Sequence, residues 1–359
     1  VPHHRPHGES PWPRWPSGLL PSEREQLEGL GGVAGIFEDD KSVVRDMEKK
    51  TPIVVPVLVI GFNRPDILRQ CIAKLRESKP QNMYFACDGA RADKEGEDAV
   101  IREVRSVMEN DIDWPCEKHY RYNERNKGCE VTESEAISWV LSENEYIIVV
   151  EDDIIAPYSF LKFAQEMLYL YKDAENVYMI SSNNQTPMPL PNNEDYCFSN
   201  YGHIWGWATW RRAWNHFNLY VNDFDNTVAR LNERTDLTKL EKKSLCRLCN
   251  YLKHNVLMGR GTWDYVWSYI KSRDGGLSIV PRVHLSSNVG VVGLHAKGQS
   301  KSHYRKYDEE FVAKVHPKEI KRNLKYDEYH YRKHIKSPNI FVRQILRVRN
   351  FVKGYFLQS

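Results

Sequence analysis

Three adjacent acidic residues, Glu151, Asp152 and Asp153, directly follow the apolar run Tyr146–Val150. Carboxylates side by side at the end of a buried strand repel one another and lose hydration, so they need a counter-charge. A divalent cation such as Mg²⁺ or Mn²⁺ supplies it, binds carboxylate oxygens and keeps coordination positions open for substrate phosphates. The triplet therefore predicts a metal site, and the alternative is a solvated acidic turn, which commonly follows a strand.

The segments that would position this triplet alternate between strands and helices. Buried-strand runs cover residues 53–60, 83–87, 119–122 and 146–150. Helical spacing of apolar residues follows each run, beginning at Pro65, near residue 100, after Gly128 and at Pro157. This alternation predicts a doubly wound, mostly parallel α/β sheet, followed by a less regular second half.

Polar residues fall at the predicted carboxyl ends of these strands, which is where ligands bind in doubly wound sheets. They are Asn63-Arg64, Asp88-Gly89, residues 125–128 and the acidic triplet. We expect these segments to meet at one edge of the sheet and to form a single site.

Five short motifs within residues 53–300 carry a resemblance to a known enzyme family. They are Val57–Ile60 with Arg64, Cys87-Asp88-Gly89, Val149–Asp153 with Ala156-Pro157, Gly206-Trp207, and Trp263-Asp264. In these motifs the chain resembles the inverting N-acetylglucosaminyltransferases of the glycosyltransferase A fold, including N-acetylglucosaminyltransferase I. It is also similar to bacterial relatives from surface-polysaccharide clusters. The resemblance implies the glycosyltransferase A fold for this chain.

The resemblance also implies roles for the donor-side residues. Asp153 would bind the Mn²⁺ or Mg²⁺ ion that bridges the donor diphosphate, Asp152 would face the ribose, and Glu151 would face the donor sugar. The metal would stabilise the leaving nucleoside diphosphate. Asp88 would accept from uracil and Arg64 would neutralise diphosphate oxygens. The alternatives are a turn cap for Asp88 and a surface ion pair for Arg64.

Three further residues are candidates for donor or metal contacts. Lys127 precedes a predicted helix, whose amino terminus favours phosphate, and the alternative is a plain surface loop. Trp207, beside Gly206, is a candidate wall against the donor sugar, and the alternative is an aromatic core. His295 is a candidate second metal ligand or phosphate donor, and a lone His is otherwise structural.

Asp264 is the candidate general base. An inverting transferase needs one carboxylate to take the proton of the acceptor hydroxyl while the sugar carbon is attacked from the opposite face. In the family this acid lies beyond the metal site, next to a Trp at the start of a helix, and Trp263-Asp264 matches that pattern. The alternative role for Asp264 is a helix cap near the glycines at positions 259 and 261.

Composition and charge suggest how the chain is organised. We expect residues 1–50 to be a disordered or vector-derived extension, 51–300 the catalytic domain, and 301–359 a basic helical segment. The apolar and basic residues from Asn339 onward are spaced as in an amphipathic helix, which suits an anionic membrane surface or packing on the domain or a second subunit. The odd number of cysteines, seven, favours free thiols in a reducing compartment. A cytoplasmic enzyme, with the inner face of a membrane as one possible neighbour, is therefore expected.

These observations predict a metal-dependent inverting glycosyltransferase. It would move a sugar from a nucleotide-diphospho-sugar, with a UDP-sugar such as UDP-GlcNAc as first choice, to a hydroxyl of a glycan or lipid-linked acceptor. Nucleic acid is not an expected partner. One alternative is a sugar nucleotidyltransferase, although residues 61–65 are too few to wrap a triphosphate. The other is a non-catalytic carbohydrate-binding protein, in which the acidic triplet and Asp264 would have no purpose.

Overall fold

The computed structural model describes residues 50–257, 263–290 and 304–335. The predicted extension 1–50 lies outside these ranges except for its last residue, and His295 and the predicted carboxyl-terminal helix lie outside them as well. The strands are β1 (Val57–Gly61), β2 (Asn82–Cys87), β3 (Glu117–Tyr122), β4 (Tyr146–Glu151), β5 (Ile154–Ile155), β6 (Val177–Ser181), β7 (Tyr196–Ser199), β8 (Trp207–Trp210), β9 (Leu277–Pro281) and β10 (Ser287–Asn288).

Eight of these strands form one sheet in the order β3-β2-β1-β4-β8-β6-β9-β7. The first four pair in parallel, and β6 pairs in parallel with β9. Strand β8 is antiparallel to both of its neighbours, and β7 is antiparallel to β9. All but β7 and β8 therefore run in one direction. The predicted fold class, a doubly wound and mostly parallel α/β sheet with a less regular second half, is confirmed.

Helices cover both faces of the sheet and its second half. They are α1 (Pro65–Arg76), α2 (Glu97–Asn110), α3 (Cys129–Glu143), α4 (Tyr158–Leu170), α5 (Arg211–Trp214), α6 (Phe224–Ala229), α7 (Lys239–Leu257), α8 (Trp263–Asp274) and α9 (Leu324–His330). Short 3₁₀ turns span Pro191–Asn193 and Leu231–Glu233, and a π-helical turn spans Tyr331–Ile335. Helix α1 begins with Pro65, whose fixed φ and missing N–H suit a first helical position. Within the described ranges, no helix has both the length and the apolar character to cross a bilayer.

The first strand is shorter than the sequence predicts. The apolar run from residue 53 predicts a strand to residue 60, yet β1 begins at Val57. The N–H groups of Val54 and Val55 both donate to Gln165 Oε1, at 2.8 and 3.1 Å, instead of to a neighbouring strand. Pro56 has no N–H to offer a ladder. Ile53 and Val55 are therefore buried without belonging to the sheet, whereas Val54 is exposed.

The core of the first half lies on both sides of β1 and β4. Every residue of β1 is buried, and so are the four residues that precede Glu151 in β4. The second half is closed by a cluster of aromatic rings that joins β8 to α8. Its members, in close ring-to-ring contact, are Trp207, Trp214, Phe217, Trp263 and Trp267. This packing holds α8 against the sheet beside the end of β4.

Candidate active site

The acidic triplet lies where β4 leaves the sheet. Glu151 is the last residue of β4, and Asp152 and Asp153 form the turn that leads into β5. The N–H of Asp152 donates to the carbonyl of Ile60 in β1, at 2.8 Å, and the carbonyl of Asp153 accepts from Val289, also at 2.8 Å. Backbone hydrogen bonds therefore hold the triplet on both sides. It lies at the carboxyl end of the strand, as predicted.

Arg64, three residues after β1, reaches across to the triplet. Its Nη1 donates to Asp153 Oδ2 at 2.9 Å, and its Nε and Nη2 both bind the carboxylate of Asp152. Although burial opposes the charge, the carboxylates of Asp152 and Asp153 raise the pKa of Arg64. Burial raises the pKa of Asp152 to about 6, with Arg64 acting in the opposite direction. The predicted alternative for Arg64, a surface ion pair, does not describe this partly buried fork between two site residues.

Two carboxylate oxygens of the triplet are buried and have no hydrogen-bond partner within the described ranges. They are Glu151 Oε1 and Asp153 Oδ1. Burial raises the pKa of Glu151 well above its usual range, and repulsion from Glu133, Asp153 and Asp152 adds to the effect. A buried anionic oxygen without a partner is costly, because it has lost its water and gained nothing in return. These two oxygens would therefore be stabilised by a positive charge in addition to that of Arg64.

The donor set fits a metal ion that is shared with a substrate. No group of three or more His, Cys, Asp or Glu side chains in residues 50–257, 263–290 and 304–335 is placed to hold a metal by itself. Mg²⁺ at nucleotide sites typically takes one or two carboxylates and completes its shell with phosphate oxygens and water. Asp153 Oδ1 is suited to that role, because the other oxygen of the same carboxylate is already held by Arg64.

A further carboxylate, which the sequence analysis missed, binds the residue that precedes the proposed base. Glu133, in the first half of α3, accepts from Cys129 Sγ at 2.8 Å and from the indole N–H of Trp263. Burial raises the pKa of Glu133, and repulsion from Asp264 and Asp152 raises it further. Asp264 also contributes to the raised pKa of Glu151. Asp264 therefore lies within electrostatic range of Glu133 and Glu151, and the hydrogen bond from Trp263 to Glu133 joins its helix turn to α3.

The sequence places Glu133 on an apolar helical face, which could have identified it as a candidate site residue. It lies on the same helical face as the buried residues Ala136, Ile137, Val140 and Leu141, at steps of three, four, seven and eight residues. A carboxylate on an apolar face either pairs with a partner or serves a site. Here the hydrogen bond to Trp263 ties the first turn of α8, which carries Asp264, to α3.

Asp88 lies at the end of β2 and organises the loop before α3. Its Oδ1 accepts from the backbone N–H groups of Gly89 and Lys127 and from Asn123 Nδ2, at 2.9 to 3.0 Å. Its Oδ2 accepts from the N–H groups of Lys127 and Gly128 at 3.1 and 3.0 Å. These bonds use the acceptor positions of the carboxylate. The proposed contact with uracil stays a prediction and requires one of these bonds to be shared.

We expect Asp88→Ala to destabilise the folded protein. The substitution leaves the N–H groups of Lys127 and Gly128 without their carboxylate acceptor, which costs roughly 2–4 kcal/mol in the free energy of unfolding. Urea unfolding measures this change. Asp66→Ala is the matched control, because the Asp66 carboxylate is exposed and bonds only Arg69 among the described side chains. An unchanged midpoint for Asp88→Ala would show that other contacts hold the loop.

For the remaining candidates no described contact joins the side chain to the triplet. The Lys127 side chain pairs with Glu135 at 2.8 Å on the surface, so its predicted phosphate contact requires that pair to open. Trp207 is completely buried in β8 and stacks on Trp263, with ring centroids 5.6 Å apart. It belongs to the aromatic core, the alternative given above, and presents no surface to a donor sugar. His295 lies outside the described residues, and its role stays a prediction.

Gly290 is a close neighbour of the triplet that the sequence analysis did not single out. A Cβ atom at this position would lie 2.2 Å from Asp153 Oδ2 and 3.1 Å from Arg64 Nη1. The backbone after β10 therefore approaches the ion pair more closely than any side chain would allow. The absence of a side chain at this position leaves room for the carboxylate to face the site.

We expect Gly290→Ala to weaken metal-dependent nucleotide binding by about tenfold or more, since the new methyl group must displace the Asp153 carboxylate. The measurement is the affinity for a nucleoside diphosphate in the presence of Mn²⁺, by calorimetry. Gly96→Ala is the control. Its Cβ meets no atom within 4 Å, so only the strain of its positive φ is added. Equal nucleotide affinity in both variants would contradict the tight approach at Gly290.

Comparison with known proteins gives remote similarities only. No protein-family model matches the chain, and no curated protein matches it. Among solved structures, a mannosyltransferase from Pyrobaculum calidifontis in complex with GDP-mannose and Mn²⁺ is 13% identical, with a TM-score of 0.33, over 62% of this chain and 68% of its own. A 4-diphosphocytidyl-2C-methyl-D-erythritol synthase from Anaerococcus prevotii is 10% identical, with a TM-score of 0.29, over 52% and 85%.

A third solved structure, a putative glucose-1-phosphate thymidylyltransferase from Bacillus anthracis in complex with sucrose, is 9% identical. Its TM-score is 0.30, over 58% of this chain and 85% of its own. At these TM-scores the similarities carry no argument about function.

Proposed function

We propose that this chain is a metal-dependent glycosyltransferase of the A fold, which moves a sugar from a nucleotide-diphospho-sugar to an acceptor hydroxyl by single displacement. The observation that carries the proposal is the buried Oδ1 of Asp153 at the carboxyl end of β4, which has no partner among the described residues, with Asp264 within electrostatic range of Glu151. A metal-anchoring carboxylate beside a second carboxylate of separate function is what such a reaction needs.

On the donor side, Arg64 and Gly290 hold Asp153 in place. Arg64 fixes Oδ2 and leaves Oδ1 to an incoming cation, while Gly290 leaves room for the carboxylate. A divalent cation bound there with the donor diphosphate would neutralise the charge that develops on the leaving nucleoside diphosphate. The fork of Arg64 also opposes the rise that burial causes in the pKa of Asp152. A UDP-sugar remains the expected donor.

On the acceptor side, Asp264 takes the proton of the attacking hydroxyl. The acceptor oxygen forms its bond to the sugar carbon as the bond from that carbon to the diphosphate breaks on the opposite face, which inverts the configuration. Trp263 and Glu133 hold the first turn of α8 in position for this step. The repulsion between Asp264 and its acidic neighbours favours uptake of a proton by this group of carboxylates.

A nucleotidyltransferase is the second candidate, and the loop after β1 argues against it. Only residues 62–64 separate β1 from α1. Arg64, the only cation among them, is committed to Asp152 and Asp153. Enclosing a triphosphate takes a longer loop with free cations or backbone N–H groups. The products distinguish the two reactions, since the transferase releases a nucleoside diphosphate and the nucleotidyltransferase releases pyrophosphate.

The test is a melting-temperature panel followed by product analysis. UDP-, GDP-, CMP- and dTDP-sugars are added with Mn²⁺ or with EDTA, because a ligand that binds the folded state raises its apparent stability. We expect the melting temperature to rise with a UDP-sugar and Mn²⁺ together and to return to baseline with EDTA. Release of pyrophosphate from a nucleoside triphosphate and a sugar phosphate, without turnover of any nucleotide sugar, would replace the proposal with the second candidate.

A further inference from the structure

A second concave site lies beside Asp264, on the side of α8 that faces α7. Its cavity has a volume of about 700 Å³ and is lined by both helices, by residues 200–205 and by His330. This volume lies within the range of small-ligand sites in proteins, which is roughly 300–1,000 Å³. Asp264, Ser268 and Lys271 follow one another along the α8 wall at helical spacing. The cavity therefore extends from the proposed base along α8.

The charged groups in the wall of this cavity neutralise one another. Glu241 pairs with Arg322 at 3.0 Å and accepts from Asn200 at 2.8 Å. The buried Lys271 donates to the carbonyl of Asn200 and is attracted by Asp327, which also lies 3.6 Å from Arg322. Two cations thus face two carboxylates behind the wall. No net positive charge remains there for an anionic ligand.

The two histidines of the wall are neutral. Burial lowers the pKa of His203 to about 3 and that of His330 to about 3, and the nearby His334 and Lys271 act in the same direction. His330 Nδ1 bonds Thr186 Oγ1 at 3.0 Å, whereas His203 Nε2 is buried and has no partner among the described residues. An uncharged imidazole offers a hydrogen bond without a charge. The inner wall is therefore polar and neutral.

The mouth of the cavity is aromatic. Tyr251 on α7 and Tyr265 on α8 have ring centroids 5.0 Å apart and are 44% and 45% exposed. Arg247, on the exposed side of α7, is the cation at this rim. Exposed tyrosines combine an apolar ring face with a polar hydroxyl. Together with the neutral inner wall, they match a ligand that has apolar C–H faces and many hydroxyl groups.

We propose that this cavity binds the acceptor of the reaction and that the acceptor is an uncharged saccharide. Its ring would pack against Tyr265 and Tyr251, hydroxyl groups would bond His203 and Ser268, and the reacting hydroxyl would face Asp264. The carboxylate of Asp264 at the cavity opposes a uronic acid or a sugar phosphate. This proposal rests on the proposed function, since it makes Asp264 the meeting point of donor and acceptor.

The test measures saccharide binding to the full chain without nucleotide, by saturation-transfer NMR and calorimetry. The probes are neutral oligosaccharides of hexoses and N-acetylhexosamines, each with its uronic acid or phosphorylated counterpart. We expect neutral probes to bind and charged counterparts to bind more weakly. Tyr265→Ala should weaken neutral binding by about tenfold or more, and Tyr265→Phe, which keeps the ring, should retain most of it. Tyr220→Ala, 77% exposed and outside the cavity, is the matched control.

Three results would overturn the proposal: preference for the charged probes, no saccharide binding at millimolar concentration, or unchanged neutral binding in Tyr265→Ala. The proposed function is tested separately, by measuring release of the nucleoside diphosphate. A chain that binds neutral saccharides in the cavity but turns over no nucleotide sugar keeps the assignment of the cavity as a saccharide site and loses the transferase. A chain that transfers only to charged acceptors keeps the transferase and loses this inference.

Discussion

Asp264→Asn is expected to lower turnover by about 10²–10⁴-fold, the usual contribution of a positioned general base. An amide cannot take the proton of the acceptor hydroxyl, although it occupies the same volume as the carboxylate. Donor binding in the presence of Mn²⁺ should stay close to that of the wild type, because the cation site is centred on Asp153. The measurement is steady-state transfer with saturating donor, alongside calorimetric donor affinity.

Asp274→Asn is the matched control for this variant. It is the same substitution at the other end of α8, where Asp274 pairs with Arg273 and His216 away from the cavity. We expect it to retain near wild-type turnover. If Asp264→Asn keeps more than about a third of wild-type turnover, Asp264 is not the base, because even the low end of general-base catalysis exceeds that change. A product with retained anomeric configuration would contradict single displacement independently.

The meeting of Arg64 with the acidic triplet could be predicted from the sequence because it depends on local order. A strand that ends in Glu151-Asp152-Asp153 and another that ends just before Arg64 place both at one edge of a parallel sheet. The structure pairs those strands and forms the ion pairs that the charges suggest. The start of β1 differed, because Gln165, 110 residues away, takes the N–H of Val55.

The parts that were missed depend on contacts distant in the sequence. Trp207 is buried because β8 inserts between β4 and β6, an antiparallel position that nothing in the local sequence of β8 specifies. Gly290 matters because the β5–β10 ribbon returns the chain to Asp153. The cavity beside Asp264 is assembled from four separate segments. Glu133 differs from these, since its place on an apolar helical face could have identified it.

Asp153→Asn is expected to remove Mn²⁺-dependent nucleotide binding and to lower transfer by at least about 10²-fold. A metal at a leaving group supplies several kcal/mol of transition-state stabilisation, and each 1.36 kcal/mol corresponds to a factor of ten. The amide oxygen can still accept from Arg64, so the fold should persist. The buried Oδ1, which has no partner in the described ranges, becomes part of an uncharged group, which relieves its repulsion with Glu151.

The melting temperature without metal should therefore equal or exceed that of the wild type, as expected where a site keeps charge at the cost of stability. Thermal unfolding with EDTA measures this effect, and calorimetry with UDP and Mn²⁺ measures the loss of binding. Asp98→Asn, an exposed residue that pairs with Arg102, is the control and should change neither quantity appreciably. A wild-type nucleotide affinity that is indifferent to EDTA, together with an active Asp153→Asn variant, would remove the metal from the mechanism. A lower melting temperature in EDTA would instead show that the Asp153 carboxylate stabilises the fold.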